Sequence, residues 1–269
     1  MKAQTTKYFR NYKLKNTGRS LHMLTCYDYQ TARVLNETEL DLILVGDSLG
    51  NVILGYETTI DVTLEDMIVF GAAVKRGAPD KFIVVDLPFG TYTYFEQALE
   101  SAIKLFRKTN AQALKLEGAH PHHLEIVKRL SENGIPVMGH IGLTPQSIHE
   151  MGGYYMHGKD FNSKKKLIDG AKALEVAGVF ALVLECVDSK LSTEITDALS
   201  IPTIGIGSGK QTDGQVLVLN DLLGMSPDKT PGFVTPLANL FSLKKTLIDK
   251  YLYETQPKSK ENLENNHVH

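Results

Sequence analysis

Acidic residues close several of the apolar runs in this sequence, and these positions are where chemistry could be placed. Val45-Gly46-Asp47-Ser48 ends one run and Val84-Val85-Asp86 another. Leu114-Lys115-Leu116-Glu117 ends a third, Met138-Gly139-His140 a fourth, and Leu182-Val183-Leu184-Glu185 a fifth. A charge at the end of a buried strand is costly unless something pairs with it. Each acid alone could cap the helix that follows it or pair with a basic chain. Three carboxylates brought to one place would repel one another. A hard divalent cation relieves that repulsion, and Asp47, Asp86 and Glu117 supply the oxygen ligands that Mg²⁺ prefers.

The neighbouring groups extend this reading. Lys115 and Glu117 are two apart on one run and so face the same side of a strand. Lys115 could form a Schiff base or act as a fixed positive charge for a substrate carboxylate. Carboxylates beside it would hold its proton on, which favours the fixed charge. His140 suits a hydrogen-bond donor to substrate. Glu185, facing a metal-bound substrate from the other side of the site, suits general acid/base work. Cys186 beside it reads as a small core residue. Gly205-Ile206-Gly207-Ser208-Gly209 reads as a turn rather than a phosphate loop.

Eight apolar runs carry these residues: Leu21–Tyr27, Leu42–Val45, Phe82–Asp86, Ala113–Glu117, Pro136–His140, Ala181–Glu185, Thr203–Ile206 and Val216–Leu219. Each is continuous rather than alternating, the pattern of a parallel strand covered on both faces. Helical patterns separate most of them, over Thr63–Arg76, Phe95–Lys108, His123–Asn133, Lys164–Ala177 and Leu191–Leu199, with a last one over Asn239–Tyr253. An open, doubly wound sheet uses the same alternation. The count of eight and the length of 269 residues favour an α/β fold of the (β/α)₈ barrel type, in which all strand ends meet at one mouth. A single domain over residues 1–269 is expected, with a frayed tail over 254–269. Gly142–Asn162 is long, with Gly-rich turns, and is a lid candidate.

Composition narrows the function classes. Lys and Arg number 29 against 31 Asp and Glu, a net charge of −2 that gives no electrostatic case for nucleic acid. Two cysteines, Cys26 and Cys186, cannot make a disulfide framework and fit a reducing compartment. Met1–Tyr12 has no apolar stretch of the secretory kind, and no run reaches the ~18 apolar residues of a membrane span. A cytoplasmic protein without membrane contact is expected.

In order along the chain, Tyr27-Asp28-Tyr29, Val45-Gly46-Asp47-Ser48-Leu49-Gly50, Arg76-Gly77-Ala78-Pro79, Asp86-Leu87-Pro88-Phe89, Lys115-Leu116-Glu117-Gly118 and Gly139-His140-Ile141-Gly142-Leu143-Thr144-Pro145-Gln146 resemble the ketopantoate hydroxymethyltransferase family. Gly152-Gly153-Tyr154, Leu182–Cys186, Ile201–Gly209 and Thr212-Asp213-Gly214-Gln215 extend the match, which runs from about Thr25 to Leu223. The resemblance implies a barrel of the phosphoenolpyruvate/pyruvate type and Mg²⁺ held by Asp47, Asp86 and Glu117. It implies transfer of a hydroxymethyl group from 5,10-methylenetetrahydrofolate to 3-methyl-2-oxobutanoate, with Asp47, Ser48, Asp86, Lys115 and His140 around the keto acid and Glu185 as the acid/base. It also implies a large homo-oligomer, usually a decamer. The segment Pro231–Pro236 departs from the family, with Gly232 and Thr235 where basic residues are usual. Two other classes stay open. A metal-dependent lyase or aldolase would not need the folate. A non-catalytic barrel would not need the full set of Asp47, Asp86, Lys115, Glu117 and Glu185.

Overall fold

The computed structural model describes residues 4–256. Along the chain, α1 (Thr6–Arg10) and α2 (Leu14–Thr17) precede β1 (Leu21–Thr25), and α3 (Tyr29–Asn36) leads to β2 (Leu42–Val45). α4 (Leu49–Val52) and α5 (Leu64–Gly77) lead to β3 (Phe82–Asp86), α6 (Phe95–Thr109) to β4 (Ala113–Glu117) and α7 (Pro121–Glu132) to β5 (Val137–Gly142). α8 (Ile148–Met151) and α9 (Phe161–Ala177) lead to β6 (Ala181–Glu185), and α10 (Ser189–Ala198) to β7 (Thr203–Ile206). β8 (Gly214–Leu217), α11 (Leu219–Leu222) and α12 (Leu240–Thr255) follow. The eight strands pair in sequence order, all parallel, and β8 closes on β1. The fold is therefore a (β/α)₈ barrel and not an open sheet.

Local sequence explains the main helices. Thr63 caps α5 in a reciprocal box with Asp66, and Asp160 caps α9 by accepting from Ser163 N–H. Gly178, in the left-handed conformation, ends α9. The barrel interior is filled by alternate strand residues, among them Leu21, Met23, Leu42, Leu44, Val84, Met138, Val183 and Ile204. Phe9 of α1 enters the same cluster and meets the Phe82 ring at 4.8 Å; Phe82 in turn meets Phe180 at 5.6 Å. Lys13 is buried against Asp213 at 2.6 Å and also donates to the carbonyls of Thr196 and Ile201.

Several boundaries differ from the sequence reading. β1 ends at Thr25, so Cys26 and Tyr27 lie beyond the strand. β8 runs over Gly214–Leu217, earlier than expected, because it pairs with β1 from Leu21 onward. β5 continues to Gly142. β7 passes to β8 without a helix; Gly205 and Ile206 are its last strand residues, and the chain bends from Gly207, pinned by Ser208, whose buried hydroxyl donates to Leu184 O at 2.7 Å. Helices α1 to α4 carry too few periodic apolar residues to have been marked. The described residues up to Leu219 form one compact unit and those from Asn220 onward a second, which contains α12. Glu254 and Thr255 are still helical, and the rest of the expected frayed tail lies, beyond Gln256, outside the described residues. Among the described residues no helix is long and apolar enough to cross a membrane.

Candidate active site at the mouth of the barrel

Strand register brings the ionisable residues together. Asp86 stands beside Lys115 across β3 and β4, Glu117 beside His140 across β4 and β5, and Gly142 beside Glu185 across β5 and β6. Lys115 Nζ lies 3.1 Å from Asp86 Oδ2 and 3.9 Å from Glu117 Oε1. His140 Nδ1 lies 3.1 Å from Glu117 Oε1. Its Nε2 lies 3.2 Å from Glu185 Oε2, near enough for an ion pair although not aligned as a hydrogen bond. Asp47 follows β2, and its backbone N–H donates to Asp86 Oδ2 at 3.1 Å. Lys115, His140 and the acids Asp47, Asp86 and Glu117 are all buried, whereas the Glu185 side chain keeps 18% exposure.

This crowding sets the protonation states. Burial, and then Asp86 and Glu117, push the Asp47 carboxyl well above the usual range. Burial also raises Asp86, opposed by Lys115. Burial would raise Glu117 as well, but His140 and Lys115 outweigh it and hold it low. Burial would lower Lys115; Asp86, Glu117 and Asp47 reverse this and raise it above its ordinary value. For His140, burial and Lys115 lower the pKa, yet Glu117 and Glu185 carry it up to about 9. Lys115 is thus a fixed ammonium ion, unsuited to imine formation.

Buried carboxylates are the oxygen donors a hard divalent cation takes. Asp47 and Asp86 repel one another, and Asp86 Oδ1 is buried without a hydrogen-bond partner. Among the described residues, however, no group of three or more His, Cys, Asp or Glu is arranged to hold a metal ion. The Lys115 ammonium, within 4 Å of two of the acids, stands among them instead.

Gln146, Tyr92 and Tyr27, to which the sequence pattern assigns no role, complete the site. Gln146, buried in the turn after β5, donates through Nε2 to Asp47 Oδ2 at 2.7 Å and to Leu87 O at 3.0 Å, and through its backbone N–H to Glu117 Oε2 at 3.2 Å. It fixes two of the three acids at once. The Tyr92 hydroxyl donates to Gln146 Oε1. Tyr27 and Ser48 share a hydroxyl–hydroxyl bond of 2.8 Å, which orients Ser48 beside Asp47. A glutamine behind a Pro-led turn at a strand end was a usable signal for Gln146. Tyr92 sits in a loop and had none.

Glu185 is aimed by backbone geometry. Cys186, directly after it, has φ +48, a left-handed conformation uncommon outside glycine. The expectation that Cys186 is a core residue is corrected: it is half-buried, in a strained turn. Burial and Glu185 push its thiol up to about 11, which leaves it a poor nucleophile. Gly142 has φ +100, and a Cβ there would stand 2.2 Å from Glu185 O, so β5 and β6 approach as only glycine allows.

With this geometry in view, the comparisons with known proteins are specific. The family model for ketopantoate hydroxymethyltransferase matches residues 4–259. The 3-methyl-2-oxobutanoate hydroxymethyltransferase of Thermosipho africanus (strain TCF52B) is 49% identical over 257 residues, 93% of this chain and 95% of that one. Among solved structures, 2,3-dimethylmalate lyase, a PEP mutase/isocitrate lyase superfamily member, superposes with a TM-score of 0.64 at 12% identity, covering 95% of this chain and 87% of that one. A phosphonopyruvate hydrolase complex with oxalate and Mg²⁺ superposes with a TM-score of 0.58 at 7% identity, covering 94% and 99%. At these identities the two structures speak to the fold alone.

Proposed function

The chain belongs to the ketopantoate hydroxymethyltransferase family, and from that premise we propose that it transfers a hydroxymethyl group from 5,10-methylenetetrahydrofolate to 3-methyl-2-oxobutanoate. With uptake of water the products are 2-dehydropantoate and tetrahydrofolate, in the first committed step toward pantothenate. The observation that carries this reading is the arrangement at one mouth of Asp47, Asp86 and Glu117 around the ammonium of Lys115, with Glu185 reached through His140.

Asp47, Asp86 and Glu117 would hold Mg²⁺, which when bound supplies the Lewis acidity that makes the C3 proton of the keto acid removable. Lys115, kept protonated by the acids, and Ser48, held by Tyr27, orient the keto-acid carboxylate. His140 donates to substrate from between Glu117 and Glu185. Glu185 moves a proton, at C3 of the keto acid or at the carrier nitrogen, as C3 joins the methylene carbon. Gln146 keeps Asp47 and Glu117 in register with one another.

The reading includes a homo-oligomer, a decamer as the family resemblance implies, in the cytoplasm. Leu243, Leu247, Ile248 and Leu252 are exposed along α12, which supports an assembly that covers them.

The deciding experiment assays the purified protein with keto acid, methylenetetrahydrofolate and Mg²⁺. Dehydropantoate should form only when all three are present, and EDTA should stop it. Cleavage or condensation of the keto acid without the folate would make this a lyase or aldolase instead.

A further inference from the structure

Beside the acid cluster lies a cavity that a small branched keto acid does not account for. It measures about 740 Å³ and is bounded by α9, the end of β5 and the segment that carries Tyr155 and His157. A second lobe of about 440 Å³ shares His120, Thr144, Glu150 and Lys166 with it and is also lined by Glu117 and Gln146. A ligand filling the larger lobe therefore extends to the acids through common walls. The combined size suits a ligand far larger than the keto acid.

The walls are chemically uneven. Tyr155 and His157 stack with ring centroids 4.4 Å apart and planes 27° from parallel. Tyr155 leaves 52% of its surface exposed, and the preceding Tyr154 leaves 66%. Exposed aromatic rings next to a reactive centre ask for a planar partner. The His157 backbone is tied to the strand end that bears Glu185: its N–H donates to Cys186 O at 2.7 Å, and its carbonyl accepts from Asp188 N–H at 2.9 Å. Its Nε2 is buried and has no hydrogen-bond partner among the described residues. Toward α9 the wall is mixed: Lys166, which has no ion-pair partner among the described residues, stands with His120 at the start of α7, Glu150, and Asp169, which is paired with Lys165 at 2.5 Å.

We propose that this cavity seats the one-carbon carrier, with the flat pterin ring stacked on Tyr155, which His157 backs, on the Glu185 side of the mouth, and the acidic glutamyl tail at Lys166 and His120. The assignment rests on the reading that the carrier is a reduced folate. It gives the long excursion between β5 and α9 a task, and it leaves the acid cluster to the keto acid. It also places the carrier's ring nitrogens on the Glu185 side of the mouth, where a proton must be handled.

The test is calorimetric binding of two probes to the full-length protein under anaerobic conditions: tetrahydrofolate, and 6,7-dimethyltetrahydropterin, which lacks the tail. Lys166→Glu should weaken tetrahydrofolate by about tenfold or more, the scale of one charge-assisted contact, and leave dimethyltetrahydropterin unchanged. Tyr155→Ala should weaken both probes by roughly 2- to 12-fold, the scale of one aromatic stack. In turnover both variants should raise KM for methylenetetrahydrofolate and not for the keto acid. Lys166 and Tyr155 are exposed, and unchanged circular dichroism and melting would confirm folded variants. Wild-type affinity for tetrahydrofolate in both variants would overturn the siting while leaving the folate reading intact. A wild-type protein that binds no tetrahydrofolate and turns over without the folate would overturn the reading itself, and the siting with it.

Discussion

Replacing Glu185 by Gln keeps its shape and hydrogen-bonding reach but removes the base. We expect kcat to fall by about 10²–10⁴-fold. Deuterium exchange at C3 of the keto acid then separates its two jobs: exchange that collapses with turnover assigns it to C3, and exchange that persists assigns it to the carrier nitrogen. Near-normal turnover would remove Glu185 from the mechanism. Asp47 gives a prediction of opposite sign for stability. Its folded pKa is raised above 3.8 by burial and by Asp86 and Glu117. Its contribution is therefore fully present below that value and is lost as pH rises toward the folded pKa. Asp47→Asn should abolish turnover and yet raise the melting temperature of the metal-free protein at neutral pH, by about 2–4 °C for each ~1 kcal/mol relieved. A lower melting temperature would mean that the carboxylate is better paired than its surroundings indicate. His140 follows the same sign in a higher window. With its pKa carried from 6.5 to about 9, its stabilisation is complete below about 6.5 and disappears as pH rises through about 9. Urea unfolding of the metal-free protein between pH 6 and 10 should show that decline, and His140→Gln should flatten it.

At the scale of elements, the ends of β5 and β6 decide where Glu185 points. Gly142 has φ +100 and leaves no room for a Cβ against Glu185 O. Gly142→Ala should therefore cost about 1–3 kcal/mol in stability and displace the end of β6. The expected signature is a loss of kcat larger than the stability loss explains, with KM for the keto acid less affected. A folded variant with wild-type kcat would show that the two strand ends are not coupled. Cys186, held at φ +48, belongs to the same device. Gln146 performs a comparable task for the acids, since one side chain and its own backbone N–H hold Asp47 and Glu117 together.

For the whole molecule, closure of the barrel depends on residues distant in sequence. Asp213, just before β8, accepts from Lys13 Nζ at 2.6 Å, Leu14 N–H at 2.8 Å and Thr203 N–H at 2.9 Å, and so ties the N-terminal segment to β7 and β8. Asp213→Ala leaves the Lys13 charge buried without its partner. We expect a loss of about 3–5 kcal/mol, read as a lower urea midpoint, with activity per folded molecule retained. A shift below ~1 kcal/mol would mean that Phe9 and the Lys13 bonds to Thr196 O and Ile201 O hold the segment without Asp213.

The sequence by itself determined the strands, the six longest helices and the chemistry-bearing residues. Short continuous apolar runs between helical patterns read as strands covered on both sides, and an acid at the end of such a run stands out against its neighbours. Asp47, Asp86, Lys115, Glu117, His140 and Glu185 were legible for that reason, as was the pairing of Lys115 with Glu117 on one face. Tertiary structure decided what alternation cannot encode. Closure of β8 on β1, and with it the choice of barrel over open sheet, depends on long-range hydrogen bonds that no local pattern carries. The roles of Tyr92 and Gln146, the plug formed by Phe9 and the Lys13–Asp213 pair arise between segments far apart in the chain. The raised carboxyl of Asp47 and the protonated His140 exist only because burial brings like and unlike charges within a few ångströms. Residue type marks where charge will be costly, and only the packed barrel fixes which neighbour offsets that cost.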